Sequence, residues 1–396
     1  SSSALEISLV FVSGAVNYIP SLRGQGTKRA FFGARPVHPS GMAEIKEIVQ
    51  GVNPGGELDD LREKLFAGNI NDELEDELLK QGVSNELLQA WRHREGKSLQ
   101  EGKGANKPLP PMVRDLAVRF MMHFTQLMNT QGRGQDKGWF DAVTLFDVYC
   151  KNCPGGVKIE LLPATCVSLV KVLKKVDIST INMKGSNLSV HATQLAQWLR
   201  QLGYTLEHDV TEEQLSQQEL ELMSALAWQI NLPSVLQWVS MFSSRFNVFT
   251  QNLFLPSLNW VWESGMFYMR MVVMRQASSE DFLPRRMANG LLGLGFIGAR
   301  LLPVEALRPS KLTPADWEQL FTQSQLQGVV PTCVLQPSHC LRVIEFLQAA
   351  TDSSLEEIKE DCEAVANLVK DGILEMQNMQ RAAEAIAANA VHHTSL

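Results

Sequence analysis

The run Gly293-Leu294-Gly295-Phe296-Ile297-Gly298 has the spacing of a dinucleotide-binding turn. In that chemistry the glycines bring backbone amides against a pyrophosphate, which needs a strand before the turn and a helix opening after it. Here Arg285, Arg286 and Asn289 precede the glycines, Asn289–Leu292 is too short and too polar at its start for a central strand, and Pro303 cuts the following segment. The pattern instead predicts a helix whose small residues Ala288, Gly290, Gly293 and Ala299 admit close neighbours. Packing must then offset the roughly 1 kcal/mol that each helical glycine costs relative to alanine. Cys150-x-x-Cys153 would be half a zinc site or a redox pair, but no second Cys or His pair has matching spacing. Cys166 lies in an apolar run and reads as core. His208-Asp209 has the order of a base oriented by a carboxylate, without a nucleophile motif beside it. His191 reads as a packed or solvated side chain. The sequence has no HExxH, GxSxG or Walker pattern and no paired catalytic carboxylates. No enzymatic activity, cofactor, metal or small-molecule substrate is expected.

Charge points to surfaces rather than catalysis. Lys171, Lys174 and Lys175 form a short basic run that suits a solvated face, a small anion patch or a partner contact. Lys28, Arg29 and Arg35 surround Phe31 and Phe32, as in a docked arm or a peptide-like docking motif. The net charge of -7, from 36 basic and 43 acidic residues, disfavours a general nucleic-acid binder. Six cysteines are too sparse for a disulfide framework, so a reducing compartment inside the cell is expected, nucleus or cytoplasm first and an organelle as the alternative. The apolar opening Ala4–Ile19 holds Glu6 and reads poorly as a signal peptide. No uncharged apolar stretch is long enough to predict a transmembrane helix.

The elements that must position these residues read as helices. The chain has 396 residues, 45% hydrophobic and 20% charged, enough for two or three domains. Gly and Pro punctuate 1–56, which reads as an irregular extension. Asp59 to Trp91 has helical spacing divided at Gly68 and Gly82, and Gly96 to Pro111 reads as a linker. Periodicity then predicts helices over 112–128, 139–150, 159–176, 186–202, Thr211–Trp228 and 234–246. A second set covers Trp260–Met274, 284–302, 314–323 and 337–349. A final helix over 353–390 carries the stripe Leu355, Ile358, Cys362, Val365, Val369, Ile373, Met376, Met379, Ala383 and Ile386, with Asp371-Gly372 a candidate break. Core packing is expected for most of Trp228, Trp238, Trp260 and Trp262. Alternating strand patterns are almost absent. The fold class is therefore all-α: 1–56 extension, 57–110 short helices and linker, 111–248 and 249–350 successive helical domains, 351–396 terminal helix.

The order of these segments resembles the cyclin family. Met112-Val113-Arg114-Asp115-Leu116 matches the Met-Arg helix that opens a cyclin box, with Phe120 in place of the usual Trp. Asp147-Val148-Tyr149 matches the Asp-Arg-aromatic end of the second helix, and Ala164-Thr165-Cys166 the Thr-Cys signature of the third. Glu219, Leu222, Leu226, Trp228, Ile230, Leu232 and Pro233 follow the fifth-helix pattern, and Phe282-Leu283-Pro284 resembles the entry to the second box. The resemblance covers about 112–350 and implies two five-helix boxes that present a surface to a protein kinase and contribute no catalytic residues. It places candidate partner contacts at Lys171, Val172, Lys174 and Lys175 and at Glu219 and Glu221. The family's contact Lys falls at Val172, and its Glu pair falls at Lys174 and Lys175, a reversal that implies a partner with compensating acidic groups. Val148 replaces the Arg after Asp147, so Asp147 is expected to lack that buried partner. Two other readings stay open. One is a structural or scaffold subunit of a larger complex. The other is a nucleic-acid-binding protein like transcription factor B, weakened by the acidic charge and the missing zinc ribbon.

Overall fold

A computed structural model describes residues 74–100, 109–128, 135–153, 155–176, 188–206, 209–275, 283–299, 301–322 and 337–394. The expected extension 1–56 with its segment Lys28–Arg35, Gly68, His208 and Phe282 lie outside them. The described chain is all-α, with no strand among the described residues. Its helices are α1 (Glu75–Lys80), α2 (Asn85–Gln100), α3 (Pro111–Met128), α4 (Gln135–Asn152), α5 (Leu162–Val176), α6 (Leu188–Gln201), α7 (Glu212–Ala225), α8 (Val235–Phe249), α9 (Leu255–Arg275), α10 (Pro284–Gly298), α11 (Pro314–Thr322), α12 (Pro337–Thr351) and α13 (Leu355–Thr394). Short 3-10 turns occupy Ile159–Leu161 and Val304–Leu307.

Local sequence starts and stops these helices. Thr211 and Gln214 form a reciprocal capping box at α7: Gln214 N–H donates to Thr211 Oγ1 at 3.2 Å and Thr211 N–H donates to Gln214 Oε1 at 3.0 Å. Ser354 and Glu357 do the same at α13, with bonds of 3.2 and 2.8 Å. Pro284 opens α10 at a position whose missing N–H costs nothing.

Packing divides the helices into two sets. In the first, α5 is central and touches α3, α4, α6 and α7. Its Leu162, Cys166, Val167, Leu169 and Val170 are buried against Phe120, Phe124, Phe140, Phe146, Leu195 and Leu222 in one continuous apolar core. In the second, α10 is central and is buried from Met287 to Ile297 between α8, α9 and α13. A Cβ at Gly290 would lie 2.3 Å from the Asp361 carbonyl oxygen, and one at Gly295 would lie 2.8 Å from Val261 Cγ1. The glycines therefore set the contact distance to α13 and α9.

Buried arginines join the sets. Arg114 of α3 donates to both carboxylate oxygens of Asp147, at 2.9 and 2.8 Å. It also donates to the Val273 and Met274 carbonyls near the end of α9, at 3.2 and 3.3 Å. Arg245 of α8 satisfies the Ala350 carbonyl at 2.9 Å, the Val83 carbonyl at 2.8 Å and Asn85 Oδ1 at 2.7 Å. It thereby caps α12 and fixes the α1–α2 turn. From α2, Arg92 reaches Asp352 and the Thr351 carbonyl, and Trp91 meets Trp238 edge-on at 5.3 Å.

Several expectations are corrected. Helix α2 continues through Gly96 to Gln100, so the linker starts later than the glycine implied. Helices α4 and α9 begin four and five residues earlier than their aromatic stripes suggested. Asp371-Gly372 does not break α13, where a Cβ at Gly372 would sit 3.1 Å from Met271 Sδ and the glycine serves a close approach. Trp228 lies beyond the end of α7 in a left-handed turn (φ 61°) and is 66% exposed rather than in the core. Asp147 does have a buried cationic partner, supplied by Arg114 of the preceding helix rather than by its own neighbour.

Candidate partner-binding surface

Two hydrogen bonds position α7, one on α5 and one on α4. Ser168 Oγ donates to the Leu215 carbonyl at 3.1 Å, and Gln218 Nε2 donates to Tyr149 Oη at 3.0 Å. One turn further along each helix stand Lys171 and Glu219. Residues three and four apart share a helix face, so the buried bond at Ser168 and Leu215 brings these two together at the surface. Lys171 Nζ lies 3.1 Å from Glu219 Oε2, and the two side chains are 25% and 14% exposed. The result is a partly shielded ion pair held in one geometry by the helices beneath it.

The other candidates take different positions. Val172 is 3% exposed and belongs to the core, because one step along a helix turns the side chain about 100° away from Lys171. Glu221 is exposed and accepts from Gln217 Nε2 at 3.1 Å on its own helix, apart from the ion pair. Lys174 and Lys175 lie in the last turn of α5, and their side chains are outside the described residues. Leu220 is exposed on α7. The structure thus joins Lys171 to Glu219, withdraws Val172 and leaves Glu221 separate.

The motifs with possible chemistry occupy packing positions. Gly293, Gly295 and Gly298 stand inside or at the end of α10, where the amides serve the helix itself and none is presented as a phosphate cradle. Burial pushes the Cys150, Cys166 and Cys362 thiols well up, so they are protonated near neutral pH and poor nucleophiles or ligands. Cys153 contacts Tyr149 Oη at 3.7 Å and the Gly156 carbonyl at 3.6 Å. Burial also raises the Tyr149 phenol. Asp209 is held by Arg200 Nη2 at 3.1 Å. His191 packs on Phe124 with ring centroids 4.9 Å apart, and burial first, then His123, lowers its proton affinity. Among the described residues no group of three or more His, Cys, Asp or Glu is arranged to hold a metal ion. Among them, too, no helix is long and apolar enough to cross a membrane.

Sequence reasoning missed the Arg114–Asp147 pair and the register bonds of Ser168 and Gln218. An arginine inside the apolar stripe of α3 was the available signal for the first. Nothing in the sequence marks Ser168 or Gln218. Comparison of the chain with protein-family models and with curated proteins finds no match.

Proposed function

We propose that the chain is a non-catalytic, cyclin-like regulatory subunit that docks on a protein kinase through the face formed by α5 and α7. The observation that carries this reading is the Lys171–Glu219 pair, which joins the central helix of the first set to its last helix at 3.1 Å. Two opposite charges fixed in one geometry at a helix junction are pre-organised for a partner, since neither long side chain has to be ordered on binding. The packing of α3–α7 around α5 and the meeting of Arg114 with Asp147, both within matched motifs, support the cyclin-like reading. Lys174 and Lys175 follow Lys171 at three- and four-residue spacing in the sequence, and their positive charge would select for acidic groups on a partner.

The test is kinase recovery on immobilised chain from a native extract, comparing the natural sequence with the double variant Lys174→Glu, Lys175→Glu. Loss of recovery is expected. Unchanged recovery sinks the contact assignment. A scaffold role in a larger assembly is the second reading. It is favoured by α13, whose 40 residues extend about 60 Å. A stable assembly without kinase in the same extract decides for it.

A further inference from the structure

Thr313-Pro314 is the only step in which Ser or Thr precedes proline among the 17 prolines of the chain. It stands at the start of α11, in a surface segment where Ser310, Lys311, Thr313, Pro314 and Ala315 are all exposed. Thr313 caps the helix. Its carbonyl accepts from Trp317 N–H at 3.0 Å, its Oγ1 accepts from Asp316 N–H at 3.2 Å, and its hydroxyl donates to Asp316 Oδ2 at 2.7 Å. The other oxygen of that carboxylate, Oδ1, meets Lys370 Nζ of α13 at 3.2 Å. Lys311 is also close to α13, 3.4 Å from Glu363.

We propose that Thr313 is a proline-directed phosphorylation site and that the phosphate locks α11 to α13 through Lys370. In the transfer, Oγ1 attacks the γ-phosphorus of ATP, the bond from that phosphorus to the β-phosphate bridging oxygen breaks, ADP leaves, and the hydroxyl proton passes to the catalytic carboxylate of the kinase. The phosphate then occupies the space of Asp316 Oδ2, and the displaced carboxylate, already 41% exposed, turns to solvent. A group carrying about -2 charge replaces one of -1 at a helix N-terminus and beside a lysine, and both neighbours favour the larger charge. The consequence reaches the core. Helix α11 carries the fully buried Trp317, whose Nε1 donates to the Val304 carbonyl at 2.6 Å, and its Leu320 carbonyl accepts from Tyr268 Oη at 3.2 Å. This inference does not depend on the kinase-docking surface of α5 and α7.

The experiment treats the full chain with a proline-directed kinase and ATP, maps the product by mass spectrometry, and follows amide exchange across α11. One phosphate on Thr313 is expected, retained in Thr313→Ser, which keeps the cap, and largely lost in Pro314→Ala. Exchange across α11 should slow by roughly 2–5-fold on phosphorylation. In Lys370→Ala the phosphate should still be added and the slowing lost. A folded chain that takes no phosphate at Thr313 overturns the proposal. So does a phosphorylated chain whose α11 exchanges at an unchanged or faster rate, or whose slowing survives Lys370→Ala.

Discussion

Replacing Gly293 with alanine places a methyl group in the contact between α10 and α13. The new Cβ would sit 2.6 Å from Cys362 Sγ and 3.2 Å from Leu307 Cδ1. The leucine contact is the tip of a flexible side chain and can yield. The sulfur cannot, because Cys362 is fully buried between the two helices. Helix propensity favours alanine by roughly 1 kcal/mol, while overpacking a tight contact costs about 1–3 kcal/mol. Gly293→Ala is therefore expected to destabilise the chain by about 1 kcal/mol net. Cys362→Ala alone removes a buried sulfur and costs on the order of 1 kcal/mol. In that background the obstructing atom is gone, and Gly293→Ala should stabilise by up to about 1 kcal/mol. The change of sign is the prediction. It amounts to a coupling of about 1–2 kcal/mol, well above the roughly 0.5 kcal/mol within which independent substitutions add. Urea denaturation of the four proteins, followed by circular dichroism with equal m-values, measures it. If Gly293→Ala has the same effect in both backgrounds, or stabilises the natural sequence, the packing explanation of the glycine pattern is wrong.

The remaining predictions concern the buried charges. Glu95 is 6% exposed, accepts the Arg285 N–H at 3.0 Å at the start of α10, and has its carboxyl pushed up to about 7, mainly by burial. A raised carboxyl contributes stability that is complete below its unfolded value near 4.5 and is lost as pH rises through about 7. Glu95→Gln should remove that loss, on the order of 3 kcal/mol, and the difference between the two proteins' stability profiles from pH 4.5 to 7.5 isolates it from all other groups. Identical profiles would contradict the burial account. Arg114→Met leaves Asp147 and the Val273 carbonyl without their shared donor. A loss of about 3–5 kcal/mol is expected by urea denaturation, and a loss below about 1 kcal/mol would mean that the pair does not join the two sets.

Much of the fold was legible because long apolar stripes repeat with the helical period. The stripes of α3, α5 and α8 state which face is buried, and Thr211 with Gln214 states where α7 begins. Glycine was the ambiguous signal. Gly96 and Gly372 look like breaks, yet one lies in open space within α2 and the other receives Met271. Whether a glycine ends a helix or admits a neighbour depends on what packs there, which lies far away in the sequence. Trp228 was misplaced for a related reason. The turn after Ala225 reverses the chain through two left-handed residues, Ala227 and Trp228, and apolar content alone put the tryptophan inside. At the candidate surface, one residue of register decided the outcome. Lys171 faces Glu219 and Val172 faces the core because one helical step separates them by about 100°, and the Ser168–Leu215 bond that brings Glu219 alongside joins segments 47 residues apart. The Asp147 partner was hidden because it comes from 33 residues earlier rather than from the next position.

The central claim is tested most directly by native co-purification of the full chain, with the recovered partners identified by mass spectrometry. The account predicts a protein kinase in near-stoichiometric amount, reduced when Lys174 and Lys175 are replaced by Glu. Recovery of a stable assembly that contains no kinase, or of the chain alone, would contradict it.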